Sequence, residues 1–402
     1  MPLDHKALSE LTEDDLRTLI EGRVSEGREL EYKERLPAQT DEEKIKFLAA
    51  VSSFANSRGG HLVLGVKERR DDQGQPTGEP ETLCGIGEVN VATQVQRLEH
   101  MLRDGLDPVI RGVEFQAVPL SQGGQVLVLR IPRSWRAPHM IKFNKCCRFY
   151  GRGTSGKQLL YAEELRSAFL GTQEVSERVR AFRAERVGRL IAGEAPVPLE
   201  QGPLVVLHVV PLSALGVGGQ VDLDLVQGHQ AGPLVGMHGS ALDNRYTFDG
   251  FLATEGGRRE GPYEGYALVF RDGIIEAVST QCAGKRNGGS YIFSGIFEES
   301  LIQSLDRYGA LLQALGVSPP VAVMLSLMGV KGYQMGVSGW RAAVFRMPGI
   351  DRENVLTAPV LMEGLQEDAG RLLRPSLDAV WNACGYPRSP NYCEDGNWRP
   401  RN

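Results

Sequence analysis

The chain has 402 residues, 42% of them hydrophobic and 24% charged, with 45 Lys and Arg against 50 Asp and Glu for a net charge of −5. This length and composition predict an ordinary globular chain of two domains or one large one, and exclude a small disulfide- or metal-stapled miniprotein. The longest apolar stretch, around Val321 to Val330, is too short for a bilayer span, and Asp4, His5 and Lys6 stand where a signal peptide would need an apolar core, so a cytoplasmic address with no membrane partner is expected.

In chain order, residues 11–21 read as an amphipathic helix with Thr12 at its start and Glu13, Asp14 and Asp15 in its first turn. Residues 29–34 alternate, with Leu30 and Tyr32 on one face and Glu29, Glu31 and Lys33 on the other, as in a half-buried strand. A helix is expected from Asp41 to about Asn56, before Gly59 and Gly60, then a short apolar strand from His61 to Val66 and a polar loop from Arg69 to Pro80. A helix from about Val91 to Arg103, strands at 109–118, 125–131 and 148–151, and a closing helix from Tyr161 to Leu170 complete a first domain, 1–172. Residues 173–202 read as a linker, helical to about 192, with prolines at 196, 198 and 203 marking its end. A second domain, 203–402, has strands near 204–210, 265–270, 274–279, 321–327, 341–346 and 355–361 and helices at about 297–315 and 364–384, with Arg271, Asp272 and Gly273 as a hairpin turn. Both halves are expected to be α+β.

Charge is segregated along the chain. Residues 121–160 hold eight cations (Arg130, Arg133, Arg136, Lys142, Lys145, Arg148, Arg152 and Lys157) and no Asp or Glu, interleaved with Trp135, Phe143, Phe149 and Tyr150. Such a surface can neutralise phosphates while rings stack on unpaired bases, so these eight residues are the candidate nucleic-acid contacts. Residues 203–402 carry 16 Lys and Arg against 20 Asp and Glu and make a poor primary phosphate contact. The six cysteines form no CxxC pair, so no disulfide framework is expected. Cys146 and Cys147 are adjacent, but zinc needs four ligands, and only Cys84, His100, His139, His5 and His61 could complete them in this half. Free buried thiols are preferred over structural zinc.

The chemistry-bearing residues lie early. In Ser25-Glu26-Gly27-Arg28-Glu29-Leu30-Glu31-Tyr32-Lys33, carboxylates and a lysine on one strand face can hold a divalent cation and stabilise the charge of phosphodiester hydrolysis. The same pattern also fits a solvated face of neutralising pairs. Further on comes the run from Ser52 to Glu68, with Phe54-Ala55-Asn56, Gly59-Gly60 and the strand ending Gly65-Val66. Asn56 is expected to cap and turn the chain, the two glycines to permit positive φ, and Phe54 and Ala55 to pack in the core.

Together the two runs resemble the AlbA_2 domain of the Schlafen superfamily, over about residues 11–170. The resemblance implies an α+β nucleic-acid-binding domain with three carboxylates, here Glu26, Glu31 and Glu68, that coordinate Mg²⁺ or Mn²⁺ and orient water. Lys33 would stabilise developing phosphate charge. The family's third acid is usually an aspartate in an acidic pair, whereas Glu68 is flanked by Lys67. The activity implied is that of a metal-dependent endoribonuclease on tRNA or other structured RNA, with DNA also open, acting in defence against phage. A non-catalytic DNA- or RNA-binding transcriptional regulator and an ATP-binding module stay open as alternatives, as does a homo-oligomer. Gly151 to Lys157 has the look of a phosphate loop but lacks G-x-x-x-x-G-K-[ST], because Gln158 follows Lys157.

Overall fold

The computed structural model describes residues 3, 6–154, 156–216, 220–227, 234–257, 260–286, 288–337 and 347–399. The chain divides into two compact units, Met1–Glu174 and Val175–Asn402, both of mixed helix and sheet. Among the described residues no helix is long and apolar enough to cross a membrane. The strand expected at 341–346 lies outside the described residues.

The first unit opens with α1 (Glu13–Glu21), whose N-terminus is closed by reciprocal bonds between Thr12 and Asp15. It is followed by β1 (Leu30–Lys33), α2 (Asp41–Ala55), β2 (Gly59–Leu64), β3 (Val66–Arg70), β4 (Pro76–Leu83) and α3 (Val91–Gly105). Then come β5 (Leu106–Asp107), β6 (Glu114–Pro119), β7 (Gln125–Pro132), β8 (Met140–Ile141), β9 (Arg148–Gly153) and β10 (Gly156–Leu159). One four-stranded sheet has the order β1-β2-β7-β6, with β1 parallel to β2; the other has the order β10-β9-β8-β5. Leu62, Leu64, Leu127, Leu129 and Ile131 form one face of the first sheet with α2 and α3, while Val63, Val126, Val128, Leu30 and Tyr32 turn to the α1 side. Helix α2 packs on strands of both sheets, so its last nine residues, Phe47 to Ala55, are buried all round instead of along one stripe.

Three expectations are corrected here. Strand β1 is buried on both faces, since α2 and β9 cover the side that carries Glu31. The stretch read as a loop from Arg69 to Pro80 is largely a two-stranded ribbon, β3 with β4, whose polar pattern reflects its exposure. The helices expected at 161–170 and 173–192 are one helix, α4 (Ala162–Ile191), and the division between the units falls within it.

The second unit holds an eight-stranded sheet of β11 (Leu204–Pro211), β12 (Asp243–Tyr246), β13 (Gly250–Glu255), β14 (Gly265–Phe270), β15 (Ile275–Ser279), β18 (Val321–Met328), β20 (Asn354–Leu356) and β21 (Val360–Met362). The last two replace the single strand expected at 355–361. Between β15 and β18 run β16 (Ala283–Arg286), β17 (Gly289–Phe293) and the helix Ser294–Ala314; β19 (Gln334–Gly336) pairs with β17, and the helix Ala369–Ala383 follows the sheet. Two buried carboxylates organise this unit. Glu276 receives a bidentate Arg186 (2.7 and 2.8 Å), His208 Nε2 (2.9 Å) and the Tyr266 hydroxyl (2.7 Å). Glu298 accepts from Trp381 Nε1, Ser389 Oγ, Asn391 Nδ2 and Trp398 Nε1 at 2.6–2.8 Å.

Candidate phosphodiester site on the first unit

Strand β1 sets out the site. Because Leu30 and Tyr32 face the α1 side, Glu31 must face α2, where its side chain is 6% exposed. Burying a carboxylate there requires a partner, and Arg152 of β9 supplies it. Arg152 Nη1 donates to Glu31 Oε2 and to Ser53 Oγ, while Nε and Nη2 donate to the Gly27 carbonyl at 3.0 and 2.8 Å. Its guanidinium lies 4.0 Å from the centre of the Phe54 ring, and its backbone N–H donates to Ser57 Oγ (2.9 Å). The run Ser53, Phe54 and Ser57 is thus a seat for one arginine, so Phe54 does more than pack in the core.

The other oxygen of Glu31 turns to Lys33. The Lys33 ammonium lies 3.1 Å from Glu31 Oε1, 3.4 Å from Glu26 Oε1 and 3.8 Å from Glu68 Oε1, and donates to its neighbour's carbonyl, Tyr32 O, at 2.6 Å. Glu26 also accepts the Tyr32 N–H (2.7 Å). Glu68 rides on β3, where the ribbon slips register on both sides of it, an irregularity that re-aims a side chain. The structure therefore brings Glu26, Glu31, Lys33 and Glu68 together. Burial raises the Glu26 carboxyl above its ordinary value despite Lys33. For Glu31 burial acts in the same sense, but Lys33 and Arg152 outweigh it and the net shift is downward. Burial draws Lys33 down, yet Glu31 and Glu26 carry it above the ordinary lysine value. Lys157, in register opposite Arg152 on β10, completes the cluster. Although the residue is exposed, withdrawal of its ammonium from water lowers its pKa, with Glu31 opposing and Lys33 and Arg152 adding to the fall.

These donors do not fit a divalent cation as they stand. Their oxygens surround an ammonium, and among the described residues no group of three or more His, Cys, Asp or Glu is placed to hold a metal ion. The same holds for zinc at Cys146 and Cys147, which are half-buried and exposed, not buried thiols. His139 Nδ1 is engaged by Pro108 O, and Cys84 and His100 are exposed.

Of the eight candidate nucleic-acid contacts, Arg133, Arg136, Lys142, Lys145, Arg148 and Lys157 are exposed. Two are corrected. Arg152 is buried in the seat just described, its side chain 1% exposed. Arg130 bonds His61 Nε2 and the carbonyls of Leu3 and Lys6, and so ties β7 to the start of the chain. Asn56, expected to cap α2, reaches further: its amide donates to the carbonyls of His139 and Tyr150 and accepts the His139 N–H, fastening β8 and β9 to the helix end. Gly151–Gly153 and Gly156–Lys157 lie on the paired strands β9 and β10 and open no helix, unlike a phosphate loop.

The family model described as Schlafen, AlbA_2 matches residues 26–160. No curated protein matches the chain. Among solved structures, the chain is similar to the N-terminal domain of an ATP-dependent DNA helicase RecG-related protein from Nitrosomonas europaea, at 21% identity over 39% of this chain and 94% of that one, with a TM-score of 0.27. It is also similar to the DIP2311 protein from Corynebacterium diphtheriae, at 13% identity over 92% of this chain and 61% of that one, with a TM-score of 0.24.

Proposed function

Because residues 26–160 form a Schlafen AlbA_2 domain, we propose that the first unit binds nucleic acid and hydrolyses its phosphodiester bonds at Glu26, Glu31, Lys33 and Glu68. The observation that carries this reading is the convergence of three carboxylates and Lys33 beside Lys157. Two carboxyl groups with opposite pKa shifts divide the labour: Glu26, held high, takes and returns a proton, while Glu31 stays ionised and keeps Lys33 in place. Lys33 and Lys157 offset charge gathering on the phosphate. The exposed cations from Arg133 to Arg148 hold the flanking backbone. RNA, with tRNA first, and a role against phage belong to this reading through the family resemblance alone.

The test incubates the purified full chain and its Glu31→Gln variant with total tRNA, single-stranded RNA and DNA, each with Mg²⁺, Mn²⁺ or EDTA. Cutting by the wild type that is lost in Glu31→Gln, with binding retained, is the expected result. A cut that persists in the variant places the chemistry elsewhere. A second reading, a non-catalytic nucleic-acid-binding regulator, is favoured by the neutralisation of the carboxylates by Lys33 and Arg152. It predicts gel shifts without cleavage for both proteins, with extract of phage-infected cells changing neither.

A further inference from the structure

Four rings interleave with the cations of the basic stretch, and the fold uses them differently. Phe143 and Tyr150 pack against the core that includes α2, and Phe149 meets Phe169 edge to face at 6.4 Å. Trp135 stacks with a charge instead: the Arg133 guanidinium lies over the indole, 4.4 Å from the ring centre. The indole is half-buried and Arg133 is exposed, so a flat cation backed by a ring is presented at the surface.

The segment that carries the pair is held in shape. The Ser134 N–H donates to the Ala55 carbonyl at 2.9 Å, and the Arg136 N–H to Ser134 Oγ at 3.1 Å. Gly59, at a φ of +79°, lets the chain pass so close that a Cβ there would stand 2.7 Å from the Arg133 backbone nitrogen. Ala55 lies between Ser53 and Ser57, which seat Arg152 beside Glu31, so one helix end fixes both the stacked pair and the carboxylate cluster. A phosphate contact needs only the charge, which exposed Lys142 and Arg148 supply without such a ring. A guanidinium stacked on an indole is already oriented, and its outer plane matches the face of a base. A base offers that face only when unpaired, because neighbouring pairs cover it in a continuous duplex.

We propose that Arg133 and Trp135 form a stacking platform for an unpaired base, so that the partner of the first unit is a single-stranded or looped-out segment of nucleic acid and not a continuous duplex. This rests on the nucleic-acid binding proposed above and adds the strand state that such binding requires.

Affinities of the full chain are measured by fluorescence anisotropy for a labelled adenine-rich single strand, as RNA and as DNA, and for blunt duplexes of the same length. Trp135→Leu removes the ring, whereas Arg133→Lys keeps the charge and loses the plane. Each should weaken single-strand binding by about tenfold and duplex binding by less than about twofold, and Arg133→Lys should leave the salt dependence unchanged. Arg148→Gln, which removes a charge without a ring, should weaken both strand states alike. If Arg133→Lys holds the single strand as the wild type does, or if the variants lose single strand and duplex to the same extent, the platform is overturned while nucleic-acid binding stands. A wild type that holds neither strand state overturns both. Should Trp135→Leu fail to fold, exposed Arg133→Lys decides the question by itself.

Discussion

Arg148 and Arg152 lie four positions apart on one strand, yet one is exposed and the other is buried. Replacing Arg152 by Gln leaves Glu31 inside the unit with Lys33 as its remaining cation. Loss of one partner from a buried pair costs about 3–5 kcal/mol, which denaturant unfolding should show. Arg148→Gln should leave stability within about 0.5 kcal/mol. It should instead lower the slope of log affinity against log salt by about one unit, the mark of a lost phosphate contact. From sequence the two were equal members of one basic stretch, because composition counts charges and says nothing of where they point. What separates them is long-range: the seat for Arg152 is built by Gly27, Ser53, Phe54 and Ser57, about 95 to 125 residues away in the chain. The Phe-Ala-Asn run was legible as a motif, and Glu26, Glu31 and Lys33 of the earlier run do meet, with Glu68. That the lysine stands among the carboxylates could not be read from a spacing.

At the scale of elements, the step from α2 to β2 decides whether the site forms. Gly60 has a φ of +153°, and a Cβ there would lie 2.5 Å from the Glu29 carbonyl and 2.6 Å from the Phe54 ring. Gly60→Ala therefore pushes on both the strand that presents Glu31 and the ring beneath Arg152. A loss of about 1–3 kcal/mol or more is expected in thermal or denaturant unfolding. Gly74→Ala, also at positive φ (+77°) but with nothing within 4 Å of its Cβ, should cost only the smaller conformational penalty of about 1 kcal/mol. If the two variants unfold alike, close packing at Gly60 is not what the motif's glycine serves. Glycine pairs and capped helices were readable because their causes are local. The ribbon of β3 and β4 was not, since two exposed strands paired only with each other lack the apolar alternation that marks a strand against a core.

At the scale of the whole molecule, the second unit begins within α4, earlier than proline content suggested. Arg186, Val187 and Leu190 of that helix are buried with residues of the large sheet, and Arg186 neutralises Glu276. A fragment 175–402 should fold, whereas 203–402 leaves Glu276 buried without its arginine and should be less stable by about 3–5 kcal/mol or fail to fold, as circular dichroism and unfolding would report. The carboxylate also sets a pH response. Burial pushes Glu276 up, but Arg186 and His208 prevail and hold it at about 2, below the ordinary 4.5. A group with a depressed folded value lends stability above its unfolded value and loses it as pH falls through the folded one. The unfolding midpoint of 175–402 should thus fall between pH 4.5 and about 2, and Glu276→Gln should flatten that part of the profile.

Glu298 turns the last stretch of the second unit into a condition on the whole of it. Three of its four donors come from Ser389, Asn391 and Trp398, so a chain that stops short of residue 389 retains the carboxylate in the core with Trp381 alone to answer it. The core of a shortened product would be charged and wet, and the proteases that clear unfolded chains would find it. Incomplete synthesis is in this way made visible, and shortened copies would not accumulate.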